Sequence, residues 1–180
     1  MQIYNIYLDL QLFMPKYLTI IRHAKSSWEN PELDDLVRPL NERGRQSIKI
    51  IGNYLREHKI KPDLVITSPA TRALQTAIGI SEILNYPKES LNIKQDIYFG
   101  TSSAILSVLE NMDDIFKDVF LFGHEPLLSS LIEILTGKNI DKFPTCAVCR
   151  ISLDITKWKN LKLKNSKCEF YVNPKILNEK

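Results

Sequence analysis

The 180-residue chain is 44% hydrophobic and 25% charged, the balance of an ordinary globular domain long enough to bury a real core. A formal net charge of +3 is too small to argue for nucleic acid, and no apolar run approaches the length of a membrane span, so neither is expected as a partner. Three cysteines are sparse and odd in number, which implies no disulfide framework.

Residues 1–13 are apolar but contain Asp9, lack an early positive charge and show no small-residue cleavage pattern, so they make a poor signal peptide. Met14 lies just before the first convincing strand. The expectation is that translation starts there, or that residues 1–14 form a loosely attached extension. One domain is then expected over residues 15–176, in the cytoplasm.

Leu18-Thr19-Ile20-Ile21 is a β-branched run suited to a strand buried on both faces, as in a parallel sheet. A polar loop rich in Asp, Glu and Pro follows from Ala24 to Leu40. Asn41 is a good helix N-cap with Glu42 in the first turn, and Ile48, Ile51 and Leu55 form the buried stripe. Lys61-Pro62-Asp63 turns the chain into a second strand, Leu64 to Thr67. A helix from about Ala70 to Leu84 then buries Ala73, Ala77, Ile80 and Leu84.

Leu91 to Ile97 reads as a third strand, and Thr101-Ser102 opens a helix with Ile105, Val108 and Leu109 inward. Val119 to Phe122 is a fourth strand, and a helix over about Pro126 to Thr136 stops near Gly137. Thr145 to Leu153 and Cys168 to Val172 look like strands with no helix between them, joined by a lysine-rich turn containing Trp158. The alternation predicts a three-layer α/β/α sandwich with a mainly parallel central sheet and antiparallel edge strands. Cys146 and Cys149 have the spacing of a redox or zinc pair. They fall in an apolar, strand-like run where that spacing points side chains to opposite faces, so they read as buried small hydrophobes. Arg150, in the same run, has no role that the sequence assigns.

Three apolar runs end in polar clusters: Arg22-His23, Ser68-Pro69-Ala70-Thr71-Arg72 and Gly123-His124-Glu125-Pro126. If those strands are parallel, the clusters share the carboxyl edge of the sheet, where α/β ligands bind. Two arginines and two histidines would then converge, a set suited to a phosphoryl group, with helix N-termini adding N–H donors. A neutral imidazole is a competent nucleophile toward phosphorus. His23, directly after Arg22, is the better candidate, held neutral by the arginines. His124 would complete the donor set as a charged or hydrogen-bonding group. Lys25, Ser26, Ser68 and Glu125 are further candidate substrate contacts, whereas His58 sits in the charged helix end Arg56-Glu57-His58-Lys59 and reads as a surface residue.

These three motifs, in this order, resemble the signatures of the histidine phosphatase superfamily, also called phosphoglycerate mutase-like. The short length, Arg22 through Trp28, and Arg38-Pro39-Leu40-Asn41-Glu42-Arg43-Gly44 resemble its SixA-type phosphohistidine phosphatases. The resemblance implies that His23 is the phosphorylated nucleophile, that Arg22, Arg72 and His124 complete the phosphate pocket, and that no metal or other cofactor is needed.

The chain departs from the family at Glu125, where Asn is usual, and at Val37, where many relatives have Asp. Larger members supply a carboxylic acid from an insertion after the third strand. Ile97-Tyr98-Phe99-Gly100-Thr101 contains none. An alkoxide needs a proton donor to leave and a protonated imidazole does not, which favours phosphohistidine over phosphate esters. The expected partner is a phosphorylated protein, such as a phosphotransfer domain of a two-component relay. The alternatives are a small-molecule phosphomonoesterase and a non-catalytic phosphate- or phosphohistidine-binding module.

Overall fold

The computed structural model describes residues 15–161, 164 and 166–179. The proposed N-terminal extension and start site, and positions 162, 163 and 165 of the lysine-rich turn, lie outside the described residues. Six strands form one sheet: β1 (Lys16–Arg22), β2 (Leu64–Thr67), β3 (Asn92–Ile93), β4 (Asp118–Gly123), β5 (Val148–Leu153) and β6 (Lys167–Val172), in the order β3-β2-β4-β1-β5-β6. β1, β2, β3 and β4 run parallel, while β5 and β6 return antiparallel at one edge.

Alternation along the strands divides the core. Leu18, Ile20, Leu64, Ile66, Val119 and Leu121 face one side, and Ile21, Val65, Phe120 and Phe122 face the other. Helices α1 (Glu42–Glu57) and α2 (Thr71–Ile83) cover the second side through Ile48, Ile51, Leu55, Ala77 and Ile80. The first side is covered by α3 (Asp96–Phe99), α4 (Ser102–Glu110) and α5 (Leu127–Thr136) through Ile97, Ile105, Leu109, Leu128, Leu131 and Leu135. A short α6 (Pro174–Asn178) closes the described chain. Both faces are covered, which is why β1 and β4 read as continuous apolar runs.

The caps follow the sequence. Asn41 accepts from the Gly44 amide at 2.9 Å, and Thr101 caps α4. Gly137 ends α5 in the left-handed conformation, φ 70°, that favours glycine. Gly44 has a steric reason of its own, since a Cβ there would stand 2.3 Å from the Lys25 carbonyl oxygen. Among the described residues no helix is long and apolar enough to cross a membrane.

Two expectations need correction. The third strand is not Leu91 to Ile97 but only Asn92–Ile93, an exposed edge segment paired to β2. After it the chain turns into α3, because Ile97 is drawn into the core, fully buried, and Asp96 suits a helix N-terminus. Thr145 to Ala147 do not belong to β5. Cys146 has φ 60° in a turn closed by the Ala147 amide on the Pro144 carbonyl at 2.9 Å.

Cys146 and Cys149 are buried in opposite core halves, as small hydrophobes. Across β5 and β6 the Cys149 sulfur lies 3.4 Å from that of Cys168, a proximity that no local pattern predicts. Arg150 acquires a role: it donates to Thr19 at 2.8 Å and to both carboxylate oxygens of Asp118 at 3.0 and 2.6 Å, tying β5 to β1 and β4.

Candidate active site

The parallel strands β1, β2 and β4 deliver their three polar clusters to one edge. Two backbone bonds clamp the exits together: the His23 amide donates to the Gly123 carbonyl at 3.0 Å, and the Ser68 amide to the Phe122 carbonyl at 3.1 Å. The rings of His23 and His124 consequently stand with centroids 5.0 Å apart. Arg72, in the first turn of α2, is anchored by its own backbone: its carbonyl accepts from Thr76 Oγ1 at 2.6 Å, and that oxygen accepts from the Ala24 amide at 2.9 Å.

His23 Nδ1 lies 2.8 Å from the Ala24 carbonyl oxygen. A carbonyl can only accept, so the proton of the neutral ring sits on Nδ1 and the lone pair on Nε2. Burial first, and after it the charges of Arg72 and Arg22, push its pKa down to about 4 against the raising effect of the Ala24 bond. The arginines were expected to hold the ring neutral; desolvation is the larger cause.

His124 is pushed down to about 3 by burial first, then by His23 and Arg72. Burial thus favours its uncharged, hydrogen-bonding form. Its Nε2 lies 2.8 Å from Ser68 Oγ. Its Nδ1 and Arg22 Nε are two of the three buried side-chain N or O atoms without a hydrogen-bond partner among the described residues. Arg22 is aimed by its Nη1, which donates to the Phe143 carbonyl at 2.7 Å. Burial and Arg72 lower its pKa while Glu125 raises it.

The remaining candidates divide. Ser68 is fully buried against His124. Ser26 is buried, and its hydroxyl accepts from Arg38 Nη2 at 2.8 Å, so it supports the loop. Lys25 is exposed. Glu125 turns its carboxylate onto α5, where Oε1 accepts from the Ser129 amide at 3.0 Å, a helix-capping contact. His58 is exposed on the end of α1. Among the described residues no cluster of three or more His, Cys, Asp or Glu could hold a metal ion.

Asp35 and Tyr98 were missed. Asp35 accepts from Arg72 Nη2 at 2.8 Å, from Arg38 Nη1 at 2.7 Å and from the Tyr98 hydroxyl at 2.8 Å. The Tyr98 ring stands edge-on to His124, centroids 5.3 Å apart. The one local signal was the three-residue spacing of Asp35 and Arg38, which allows an ion pair within one helical turn.

The family model described as "Histidine phosphatase superfamily (branch 1)" matches residues 18–106. Phosphohistidine phosphatase SixA of Escherichia coli (strain K12) is 29% identical over 141 residues, which cover 75% of this chain and 84% of that protein. Among solved structures, the protein histidine phosphatase SixA complexed with tungstate matches with a TM-score of 0.78 at 24% identity, over 89% of this chain and 99% of that one. A mycobacterial glucosyl-3-phosphoglycerate phosphatase shares the fold with a TM-score of 0.63 at 13% identity, over 87% of this chain and 98% of that one.

Proposed function

From the match of residues 18–106 to the histidine phosphatase superfamily model and the likeness to SixA, we propose that the chain is a histidine phosphatase that hydrolyses phosphoryl groups through a covalent phosphohistidine on His23, with phosphohistidine of a partner protein as its substrate. The observation that supports this most is the pairing of a free His23 Nε2 with a second neutral imidazole 5.0 Å away, beside two arginines. In the first step the Nε2 lone pair attacks phosphorus in line with the leaving group. The bond to that group breaks, and its electron pair departs with it. In the second step water attacks the phosphorus, the P–N bond returns its pair to Nε2, and phosphate leaves. Arg22 and Arg72 hold the equatorial oxygens as charge spreads over them, and His124 hydrogen-bonds to one of them.

The bond from His23 Nδ1 to the Ala24 carbonyl has a mechanistic use. It holds the proton on the ring through the phosphorylated state, so the ring leaves phosphorus as neutral imidazole. The segment after β3 is the single short turn of α3, Asp96–Phe99, with no room for the longer acid-bearing insertion of larger superfamily members. This favours a nitrogen leaving group over an ester oxygen. A phosphotransfer domain of a two-component relay fits that chemistry. A phosphatase of glucosyl-3-phosphoglycerate, a phosphate ester, shares the fold, so the scaffold alone does not fix substrate class.

The test is a substrate panel. Turnover of a phosphohistidine peptide should exceed that of sugar phosphates, and rapid quench with labelled substrate should trap label on wild-type protein but not on His23→Ala. Faster turnover of sugar phosphates would replace the protein substrate with a small molecule. Label on the His23→Ala chain would reject His23 as nucleophile.

A further inference from the structure

The loop from β1 to α1 brings to the mouth of the site a carboxylate that none of the three motifs contains. Asp35 starts a 3₁₀ turn over Asp35–Val37, and its side chain is 50% exposed. Arg72, Arg38 and Tyr98 all donate to it, and Arg72 also donates through Nη1 to its backbone carbonyl. Arg38 is itself fixed from behind, donating to the Ser27 carbonyl and Ser26 hydroxyl, with its guanidinium 3.2 Å from the Trp28 ring centroid.

The Tyr98 hydroxyl that donates to Asp35 belongs to the ring that stands edge-on to His124, centroids 5.3 Å apart, so the carboxylate lies beside the histidine pair, and its charge raises the pKa of both imidazoles against burial. Burial raises the pKa of Asp35 itself, but the hydrogen bonds from Tyr98 and Arg72 prevail and hold it at about 2. Such a group has no proton to give to a departing alkoxide. It can accept one more hydrogen bond from a ring N–H at the exposed side.

Resting on the phosphohistidine reading above, we propose that Asp35 is a specificity-determining residue: its carboxylate accepts a hydrogen bond from the far ring N–H of the substrate's phosphoimidazole. That contact favours the substrate ring protonated on the nitrogen remote from phosphorus. When the P–N bond breaks, its electron pair returns to the ring nitrogen and neutral imidazole departs, with the remote proton still in place. A P–N bond forms at once to His23 Nε2, whose own remote proton is held by the Ala24 carbonyl. The two rings thus exchange the phosphoryl group between matched acceptors, and no net proton moves. An ester oxygen, gathering negative charge beside the same carboxylate, gains nothing from it.

The experiment compares kcat/KM for a phosphohistidine peptide and for p-nitrophenyl phosphate, whose leaving group needs no proton, in wild type, Asp35→Asn and Asp35→Glu. The ratio of the two values is independent of the fraction of protein folded. It should fall at least about tenfold in Asp35→Asn, the size of one charge-assisted hydrogen bond, and recover in Asp35→Glu. An equal loss on both substrates, which a mere strut for Arg72 would give, overturns the inference, as does an unchanged ratio. Failure of the wild-type chain to turn over the phosphohistidine peptide at all would overturn the substrate reading, and is distinguished because it is seen before any substitution.

Discussion

His23 is only 8% exposed, and the cost of charging it there would keep its lone pair available at neutral pH for the attack proposed above. Its lone pair is lost only when the ring is protonated. The acid limb of kcat/KM should therefore fall near pH 4 rather than near the ordinary histidine value of 6.5, and a pH–rate profile checks this. Replacing His23 with Ala should lower kcat by about 10⁴-fold or more, as removal of a covalent nucleophile does. Oxyanion binding reads the same electrostatics from the other side. A dianion between the rings raises both pKa values, so binding takes up protons and tightens as pH falls. The thermal shift produced by sulfate, which stays doubly charged, should be larger at pH 5.5 than at pH 7.5; the reverse order would mean that the rings do not meet the anion.

At the scale of the elements, the site is the common exit of β1, β2 and β4, and its rigidity is that of the sheet beneath it. The Arg150–Asp118 pair ties β5 across β1 to β4, with side chains 8% and 17% exposed. Burial raises the Asp118 pKa although Arg150 lowers it, so desolvation offsets much of the attraction. The pair is thus a weak net stabiliser whose halves depend on each other. Asp118→Ala, which leaves the buried arginine only Thr19 and the longer 3.5 Å pair with Glu169, should cost roughly 3 kcal/mol in urea unfolding, while joint replacement of both by apolar residues of similar volume should restore most of it. Shortening of β3 also has a functional consequence. It is the turn into α3 that places Tyr98 between Asp35 and His124.

For the molecule as a whole, two buried neutral histidines make stability depend on pH. Unfolded histidine titrates near 6.5, whereas the folded pKa values are about 4 for His23 and about 3 for His124. Between those limits the unfolded chain binds protons that the folded chain does not. Their contribution to stability is therefore fully present above about pH 6.5 and is lost as pH falls toward 4 and below. Melting temperature should decline over that window in wild type and decline less in a His23→Gln, His124→Gln double variant. A parallel decline in both would assign the acid sensitivity to other groups.

Periodicity, caps and the three terminal clusters are local properties, and they were legible in the chain: β2 begins and ends where its apolar run does, Asn41 caps α1, and Arg22, His23, Arg72 and His124 sit at strand exits and a helix start. The ends of β3 and β5 were not, because an edge strand and a positive-φ turn are decided by pairing partners distant in sequence. Nor was Asp35, which lies in a polar loop with no periodicity to single it out. Its importance arises from Arg72 and Tyr98, 37 and 63 residues away, arriving at the same point. Sequence determined which groups could do the chemistry, since residue type and strand pattern are written locally. Tertiary structure alone decided which carboxylate faces them and which ring nitrogen is free, since hydrogen bonds and desolvation depend on neighbours that only folding supplies.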